Sequence, residues 1–293
     1  MSAFHYSEFT TRNLGFVTEA EQERLRTGCV FVCGTGGMGG AAVMSLIRAG
    51  LGHMILADID SFEVSNLNRQ LFATLKTVGQ DKAEATAAAC RLINPEARIE
   101  VLGHDWPDQV DSACAEASAV INGTDDLGAS LLLYRTARAQ GRPIIDAYAS
   151  PLPSVYVTGP RDPSPEERLE FGTRGTAWDA IAPEHEGRAM LAEAEYVMTH
   201  SSSRHHVDLA IAGEVVAGTR SRPSFAPMVT MAGTLMAGEA LAALMGRAPG
   251  ADFRGWFLNP HRGRVERPKP AWLAALLRPL VRREMTRLLG PDS

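Results

Sequence analysis

Cysteine is scarce in this sequence, and its placement excludes one common kind of site. The chain of 293 residues has four cysteines, the last of them Cys114, and no two form a CxxC pair. A zinc site built from two CxxC pairs is therefore excluded, and the pattern is typical of a reducing compartment. Cys29 and Cys33 share an apolar run that predicts a buried strand, where we expect structural thiols and no nucleophile.

A secretion signal and a strong net charge are also missing. No basic segment followed by an apolar core stands at the N-terminus, so we expect a cytoplasmic protein. The formal net charge of −5 and the pI near 5.9 give no overall attraction to nucleic acid or to an anionic membrane. We therefore expect neither as a partner. With 45% hydrophobic and 22% charged residues, the composition is that of a folded soluble protein.

The most informative stretch is a glycine-rich turn between an apolar run and a helical pattern. Residues 29–33 read CVFVC and residues 34–39 read GTGGMG. Gly34 and Gly36 permit a tight turn and a close approach of backbone to phosphate, while Gly39 lets the helix lie near the strand. The amides at the helix start then face an anion. The turn therefore predicts a nucleotide site whose glycine contacts are Gly34, Gly36, Gly37 and Gly39.

Strand and helix patterns alternate after this turn. Strands are predicted at 29–33, 54–58, 98–102, 118–122, 144–147 and 154–157, with helices near 38–49 and 81–93. This alternation predicts an α/β fold with a mostly parallel sheet and helices on both faces. Ligands of such sheets bind at the carboxyl ends of the strands, where Gly36, Asp58 and Asp125 fall.

Further motifs indicate which kind of nucleotide site the turn belongs to. Asp58 and Asp60 lead into SNLNRQ at 65–70, GQDKA follows at 79–83 and TDD at 124–126. In these motifs the chain resembles the ThiF/MoeB family of the ubiquitin-activating enzyme superfamily, which adenylates carboxylates with MgATP. The resemblance implies a Rossmann-like, doubly wound sheet, a long crossover segment and a C-terminal helix.

The chemistry of adenylation explains the residue types in these motifs. A carboxylate attacks the α-phosphate of ATP and both reactants are anions, so the protein must neutralise charge and hold them in line. The resemblance implies that Arg69 and Lys82 contact the phosphates and that Asp125 holds Mg²⁺. It also implies that Asp58 binds the ribose, with Asp60 nearby, and that Asn66 supports the phosphate end. Asp126 stands where relatives often carry Asn, and its role stays open.

The resemblance implies a single ThiF-type adenylation domain over 1–293, which consists of four parts. Residues 1–28 form an N-terminal helical lead, 29–158 the nucleotide-binding core, and 159–226 a crossover segment that guides the substrate. Residues 227–293 supply a long helix, a hairpin around Asn259-Pro260 and an amphipathic tail helix. Thr18 and Glu21 predict a capping box in the lead. The apolar stretch 225–245 is expected to be a buried helix and no membrane span, because it contains Glu239 and two glycines.

The leading segment carries a prediction about the oligomeric state. In the family an arginine of the leading segment reaches the active site of the other subunit, and Arg12 stands at the matching place, which implies a homodimer.

Many relatives also carry zinc-binding CxxC pairs or a crossover cysteine that forms a thioester. This chain has no cysteine after Cys114, so we expect neither structural zinc nor a thioester on this chain. The substrate implied is the C-terminus of a small ubiquitin-like or sulfur-carrier protein, or a ribosomal peptide.

Other functions stay open from the residues alone. The glycine turn and Asp58 also suit an NAD-dependent oxidoreductase, although that function gives no reason for Asn66, Arg69 and Lys82. A non-catalytic scaffold, like the inactive halves of heterodimeric relatives, is a second alternative. A related branch modifies tRNA, and a basic cluster keeps that substrate in view: Arg262, Arg264, Arg267 and Lys269.

The crossover segment contains four histidines without the spacing of a metal site. They are His185, His200, His205 and His206, which include no i, i+4 pair, so we expect exposed loop histidines and no metal site.

In the tail helix over 271–289, arginines lie opposite a predicted apolar face that we expect to pack on this protein or on its dimer mate. The residues of that face are Trp272, Leu276, Leu280, Met285 and Leu288.

Overall fold

The computed structural model describes residues 4–148, 150–216 and 219–289. One eight-stranded sheet runs through this part of the chain, in the order β3-β2-β1-β4-β5-β6-β7-β8. The first five strands are parallel to one another, and β6 to β8 extend the sheet as antiparallel strands. The strands are β1 (Cys29–Cys33), β2 (His53–Ala57), β3 (Arg98–Leu102), β4 (Ala119–Asn122), β5 (Ile144–Asp146), β6 (Ser154–Thr158), β7 (Trp256–Asn259) and β8 (Arg264–Glu266).

Helices cover both faces of the sheet, as the sequence predicts. They are α1 (Tyr6–Thr10), α2 (Glu19–Thr27), α3 (Gly37–Arg48), α4 (Lys82–Ile93), α5 (Trp106–Glu116), α6 (Leu127–Ala139), α7 (Pro165–Arg168), α8 (Pro183–His200), α9 (Leu209–Val216), α10 (Ala226–Met245) and α11 (Ala271–Leu289). The predicted strands are confirmed to within a residue at their ends. The hairpin, predicted over 252–258 and 264–267, also forms, but its first strand begins four residues later, at Trp256. The capping box of Thr18 and Glu21 at the start of α2 is also confirmed.

The central strand β1 divides the core between the two faces of the sheet. Every residue of β1 is buried, and successive side chains point to opposite faces. Val30 and Val32 pack in a cluster with residues of α3, α4 and α10. Phe31 and Cys33 pack in a second cluster with residues of α5 and α6. A strand buried on both sides reads as a continuous apolar run, which is why β1 was recognisable in the sequence.

Helix α10 is long and apolar enough to span a membrane by length and composition alone. In the fold it packs against α3, and its buried residues include Gly233, Met236 and Glu239. The carboxylate of Glu239 accepts a hydrogen bond of 2.9 Å from the Gly250 amide. Burial raises the pKa of Glu239. These contacts confirm the interpretation of α10 as a core helix.

The crossover segment is more regular than its sequence suggests. The residues predict one helical patch in this segment, near 183–199, which forms as α8, and the structure adds α7, α9 and short 3₁₀ turns. Two bidentate ion pairs fasten α7 to α6: Arg135 to Glu166 at 2.8 and 3.0 Å, and Arg138 to Glu167 at 2.7 and 3.0 Å. Polar pairs of this kind leave no hydrophobic periodicity in the sequence, so the pattern gave no sign of them.

The tail helix α11 forms, and the described part of the chain leaves its predicted apolar face uncovered. Packing of that face on a dimer mate stays a prediction. Trp272, Leu276 and Leu280 are 67%, 65% and 63% exposed, whereas Ala274 and Val281 are buried. Arg282, from the face expected to be solvated, donates to Glu195 of α8 at 2.8 Å. The helix therefore docks through small residues and arginines, and an apolar stripe faces outward. Met285 is partly buried, and Leu288 lies outside the described side chains.

Two glycines of α10 allow a matched test of its packing against α3. A Cβ on Gly233 would collide with the carbonyl oxygen of Met38 and the side chain of Ala41, whereas a Cβ on Gly238 meets open space. We expect Gly233→Ala to lower the free energy of unfolding by about 1–3 kcal/mol through overpacking. Gly238→Ala should raise it by about 0.5–1 kcal/mol, because alanine is the better helix former. Denaturant unfolding of both variants would measure this, and equal effects would contradict the packing described.

Candidate active site

Glycines from three backbone segments meet at the carboxyl end of β1. Gly34 has a φ of +86°, and its amide donates to the Ala57 carbonyl at 2.7 Å. The Gly123 amide, just after β4, donates to the Cys33 carbonyl at 2.7 Å. A Cβ on Gly34 would collide with the backbone of Gly123, and a Cβ on Gly39 with the Gly34 carbonyl. The turns after β1 and β4 are therefore pressed together, and the start of α3 lies open beside them.

Asp58 is held at the edge of this turn. Its Oδ2 accepts hydrogen bonds from the backbone amide of Thr35 at 2.7 Å and from the Thr35 hydroxyl at 3.1 Å. Its Oδ1 accepts from the Asp60 amide at 3.0 Å. The carboxylate that ends β2 is thereby fixed against the glycine turn, as the spacing of the two motifs predicts.

Lys82 and Asp60 form an ion pair next to Asp58. Lys82 begins α4, its side chain is almost fully buried, and its ammonium lies 2.7 Å from Asp60 Oδ2. The Lys82 amide also donates to the Asp60 carbonyl at 2.9 Å. An ammonium group carries three donors, so the lysine can hold this carboxylate and bind a second anion. Asp60 thus positions Lys82, a function that the sequence did not reveal.

The SNLNRQ motif folds as a short 3₁₀ helix and a turn. Asn66 is buried, and its Oδ1 accepts a hydrogen bond from the Glu63 amide at 3.0 Å, so its contacts in this structure stabilise the turn. The Arg69 guanidinium donates to the Ser65 carbonyl at 3.0 Å and to Asn68 Oδ1 at 2.9 Å. These contacts use one nitrogen of the guanidinium, Nη1, and leave other donors for an anion.

Gln70 is a residue of this motif that our sequence reasoning did not single out. Its side chain is buried against Gly36, and its Oε1 has no hydrogen-bond partner in the described part of the chain. A buried unpaired amide oxygen is costly unless a ligand or water completes it. The position beside the glycine turn therefore suits a donor group of a bound nucleotide. Only the motif itself could have indicated this residue.

The two aspartates after β4 have different surroundings. Asp126 is the N-cap of α6, and its Oδ1 accepts a hydrogen bond from the Ala129 amide at 2.6 Å. Asp125 is exposed, and within the described residues its carboxylate has no hydrogen-bond partner. The carboxylate free to bind a cation is thus the one that the resemblance indicated. The open question about Asp126 is answered by a capping contact.

The end of the crossover segment lies against these motifs. The side-chain amide of Asn68 donates to the Ser224 carbonyl at 3.1 Å. At the start of α10, Val229 lies so close to Gly37 that a Cβ there would strike its side chain. The segment that precedes α10 therefore covers the same edge of the sheet as the glycine turn.

A buried polar network continues from β4 to β5. Asp146 accepts hydrogen bonds from Asn122 Nδ2 at 3.1 Å and from the Tyr134 hydroxyl at 3.0 Å, and burial raises its pKa. Nearby, Arg168 of α7 donates to the Tyr148 hydroxyl at 2.7 Å and lies 4.4 Å from the ring centre of Tyr196. Sequence reasoning missed this network, because its members are far apart in the chain and match no motif.

Arg12 lies in an exposed 3₁₀ turn after α1. Within the described residues no hydrogen bond or ion pair joins it to the glycine turn, Asp58 or Lys82. A contact with the site of a second subunit involves a chain that this structure does not contain. The role of Arg12 therefore stays a prediction.

The crossover histidines have separate surroundings. His185 accepts a hydrogen bond of 3.3 Å from the Ala182 amide at the start of α8, and His206 stacks on His261 at 4.4 Å. His205 is exposed, as expected. The expectation is wrong for His200, which is buried, packs 4.3 Å from the Tyr196 ring and accepts the Lys269 amide at 3.1 Å. Within the described residues, one group of side chains lies close enough together to hold a metal ion: His53, Glu100 and Glu116. This group is at the amino-terminal end of the strands, opposite the glycine turn.

The buried state of His200 predicts a pH dependence of stability. Burial, reinforced by Lys269, lowers its pKa from 6.5 to about 4. Between these values the unfolded chain binds a proton that the folded protein refuses, so stability falls as the pH drops through this window. His200→Gln should flatten the fall between pH 7 and 5 by up to about 1.4 kcal/mol per pH unit. Urea unfolding at pH 7 and pH 5 would measure this change in the free energy of unfolding. His104→Gln, which replaces an exposed histidine, is the control. An equal pH dependence in both variants would contradict the assignment.

The order of strands and the position of the glycine turn define a Rossmann-type α/β protein with an antiparallel extension. The chain belongs to the ThiF family, whose model matches residues 10–271. Sulfur carrier protein adenylyltransferase of Thermus thermophilus is 31% identical over 129 residues, 42% of this chain and 46% of that protein. tRNA threonylcarbamoyladenosine dehydratase of Bacillus subtilis is 42% identical over 80 residues, 27% of this chain and 32% of that protein. The chain thus spans half or less of the length of these relatives.

A solved structure extends the comparison of the fold. Escherichia coli MccB, determined with AMPCPP and MccA, superposes with a TM-score of 0.62 at 16% identity, over 92% of this chain and 75% of MccB. At this identity the likeness shows the fold alone. The predicted fold class is thereby confirmed, and the match to the family model over residues 10–271 confirms the predicted family.

Proposed function

We propose that this protein binds MgATP and adenylates a carboxylate of a polypeptide, with release of pyrophosphate. The observation that carries the proposal is the grouping of charge at one edge of the sheet. The open amides of α3, the buried ammonium of Lys82 and the guanidinium of Arg69 supply positive charge, and the carboxylate of Asp125 is free for a cation. This set suits a polyanion that carries a metal ion.

The residues present fit ATP and Mg²⁺. The unpaired Oε1 of Gln70 and the fixed carboxylate of Asp58 offer acceptors for the donors of a nucleoside, next to a turn whose backbone is free of side chains. Mg²⁺ prefers oxygen ligands and is commonly held by one or two carboxylates together with phosphates. Asp125 would be the protein ligand, and the ion would offset phosphate charge.

The reaction needs charge and alignment more than proton transfer. An oxygen of the substrate carboxylate attacks the α-phosphorus, the bond from that phosphorus to the oxygen bridging toward the β-phosphorus breaks, and pyrophosphate leaves. Lys82 and Arg69 would neutralise the approaching anions, and the amides of α3 would act as fixed dipoles. No side chain has to gain or lose a proton in this step.

The product is proposed to leave the active site without a thioester on this chain. All four cysteines are buried, and burial raises the pKa of Cys29, Cys90 and Cys114 to about 12. Such thiols are poor nucleophiles at neutral pH. The acyl-adenylate would instead be captured by a separate nucleophile or by a group of the substrate itself.

The proposed substrate is the C-terminus of a ubiquitin-like or sulfur-carrier protein, or a ribosomal peptide. Support comes from the name of the Thermus relative and from MccA in the MccB structure. The tRNA alternative is supported by the name of the Bacillus relative, which matches this chain over a shorter stretch. An oxidoreductase has no use for Lys82 and Arg69, and an inactive scaffold has no reason to retain both with Asp125.

Pyrophosphate exchange into ATP tests the proposed chemistry. With a carboxylate substrate present, Lys82→Met and Asp125→Asn should each lower exchange by at least about 100-fold, because they remove charge that the transition state requires. Lys76→Met changes an exposed lysine, and Asp126→Asn keeps a good N-cap, so these matched variants should retain activity. Thermal unfolding tests binding alone. Stabilisation by MgATP but not by NAD is expected, and stabilisation by NAD alone would overturn the proposal.

The proposed homodimer predicts complementation between inactive variants. Arg12→Ala should leave MgATP binding intact but slow adenylation, because its guanidinium would act in the site of the other subunit. Mixing it with Asp125→Ala should restore part of the activity, since one site of each hybrid dimer then has both residues. Exposed Arg48→Ala is the control and should remain active by itself. No recovery in a verified mixed dimer would contradict the role in the other subunit.

A further inference from the structure

A groove of about 300 Å³ lies between the end of α8, strand β8 and the tail helix α11. One wall is basic and the floor is apolar. The basic residues are Arg204, Arg264 and Lys269, and the floor is formed by Leu277, Leu280 and Val281. None of these residues belongs to the motifs of the candidate active site.

The wall of this groove has cations that are only partly neutralised. Lys269 Nζ donates to the Thr199 carbonyl at 2.8 Å and keeps two further donors. Arg264 lies a long 3.3 Å from the carboxylate of Glu266. Glu266 is the one acidic residue of the lining, and its oxygens already accept 2.7 Å bonds from the amide and hydroxyl of Ser202. Arg204 also pairs with Glu284, which lies outside the lining, so three cations face two anions and a formal charge of +1 remains.

A residue of the lining also carries a buried hydroxyl without a partner. Thr199 lines the groove and is 1% exposed, and its Oγ1 has no hydrogen-bond partner within the described residues. A buried hydroxyl is rarely left unpaired, because the loss of hydration is not offset. An acceptor group bound beside Lys269 would satisfy it.

The floor continues outward along α11. Leu280 lines the groove, and Leu276 and Trp272 precede it at helical spacing, each more than 60% exposed. A row at i, i+4 and i+8 forms one stripe on a helix. No part of the described chain covers this stripe, so basic and apolar surfaces adjoin.

Helix α8 joins the groove to the buried network of Arg168 and the tyrosines. Tyr196 of this helix packs on Arg168, and Thr199 follows three residues later. Three residues of helix advance about 4.5 Å, so the groove lies less than one helical turn from this network.

We propose that this groove binds an acidic segment of the polypeptide substrate, in which carboxylates alternate with aliphatic side chains. This inference rests on the proposed function and adds a recognition site for the substrate away from its reacting end. The carboxylates would bind Lys269 and Arg264, and the aliphatic side chains would cover Leu277 and Leu280. Alternation places the two kinds of side chain on opposite sides of an extended chain.

An acidic polypeptide fits this groove better than RNA. The apolar floor offers nothing to phosphate, and Arg204 already pairs with Glu284 at 3.0 Å. Every second side chain of the proposed peptide is aliphatic and can cover Leu277 and Leu280, whereas a phosphate backbone has no such group.

Fluorescence anisotropy with a defined probe tests the inference in the absence of ATP. The probe is a fluorescein-labelled dodecapeptide of alternating glutamate and leucine. We expect saturable binding, and the double variant Arg264→Ala/Lys269→Met should weaken it at least tenfold. Leu280→Glu should weaken it by a similar factor, and because Leu280 is exposed this change should not disturb folding.

Matched controls separate the groove from general charge and hydrophobic effects. Arg267→Ala removes an exposed arginine of the same region that does not line the groove, and Leu92→Glu changes an exposed leucine of α4. Both should bind the probe like the unchanged protein. Stabilisation by MgATP should persist in all groove variants, so a failure of peptide binding is distinguishable from a failure of the adenylation proposal.

Three outcomes would overturn the inference. One is a dissociation constant weaker than about 1 mM for the unchanged protein. The second is equal binding of a lysine–leucine peptide of the same length. The third is displacement of the probe by a 12-nucleotide single-stranded RNA whose own binding is lost in the groove variants, which would indicate a nucleic-acid site.

Discussion

The contact between the turns after β1 and β4 is the constraint on which the rest of the site depends. Gly34, Gly39 and Gly123 touch through backbone atoms, and any side chain there would separate the two turns. Because they touch, the start of α3 and the start of α6 lie beside each other at the same edge of the sheet. Asp58, at the end of the neighbouring strand β2, then reaches the same turn.

Charge at this edge is arranged by short-range pairing. Lys82 is kept in place by Asp60, Asp58 by Thr35, and Asp126 by the amides of α6. Each partner fixes a group that would otherwise sample many rotamers, and preorganised charge is what a reaction between two anions requires. Asp125 is the exception, since within the described residues no hydrogen bond or ion pair holds its carboxylate.

The sequence predicted the parallel half of the fold well, because its signals are local. Strands β1 and β2 are unbroken apolar runs, and the glycine turn needs backbone conformations that few other residues adopt. The site motifs are likewise local, which is why the sequence could propose Asp58, Lys82 and Asp125 as site residues. Residues that depend on contacts between distant segments were not found: Gln70 had no visible reason to be buried, and Arg168 meets its tyrosines only after folding.

The prediction for His200 was wrong, and the docking of the tail helix within this chain was not foreseen, for a related reason. Hydrophobic periodicity indicates which face of a helix is apolar but not whether the fold covers it, and α11 docks through Ala274, Val281 and arginines instead. Likewise, the polar neighbours of His200 in the sequence suggested a loop, whereas α8 runs through it and places it under Tyr196.

Helix α6 joins two parts of the molecule that the chain keeps far apart. It begins directly after Asp125, and its later turns are fastened to α7 by Arg135 and Arg138. A rigid helix of this kind couples its two ends thermodynamically. On the proposed function, if a polypeptide bound at the crossover segment raises the affinity for the nucleotide by some factor, the nucleotide raises the affinity for the polypeptide by that same factor, because linkage between two binding sites is reciprocal. The order in which the two substrates arrive would then matter for speed but not for the strength of the final complex.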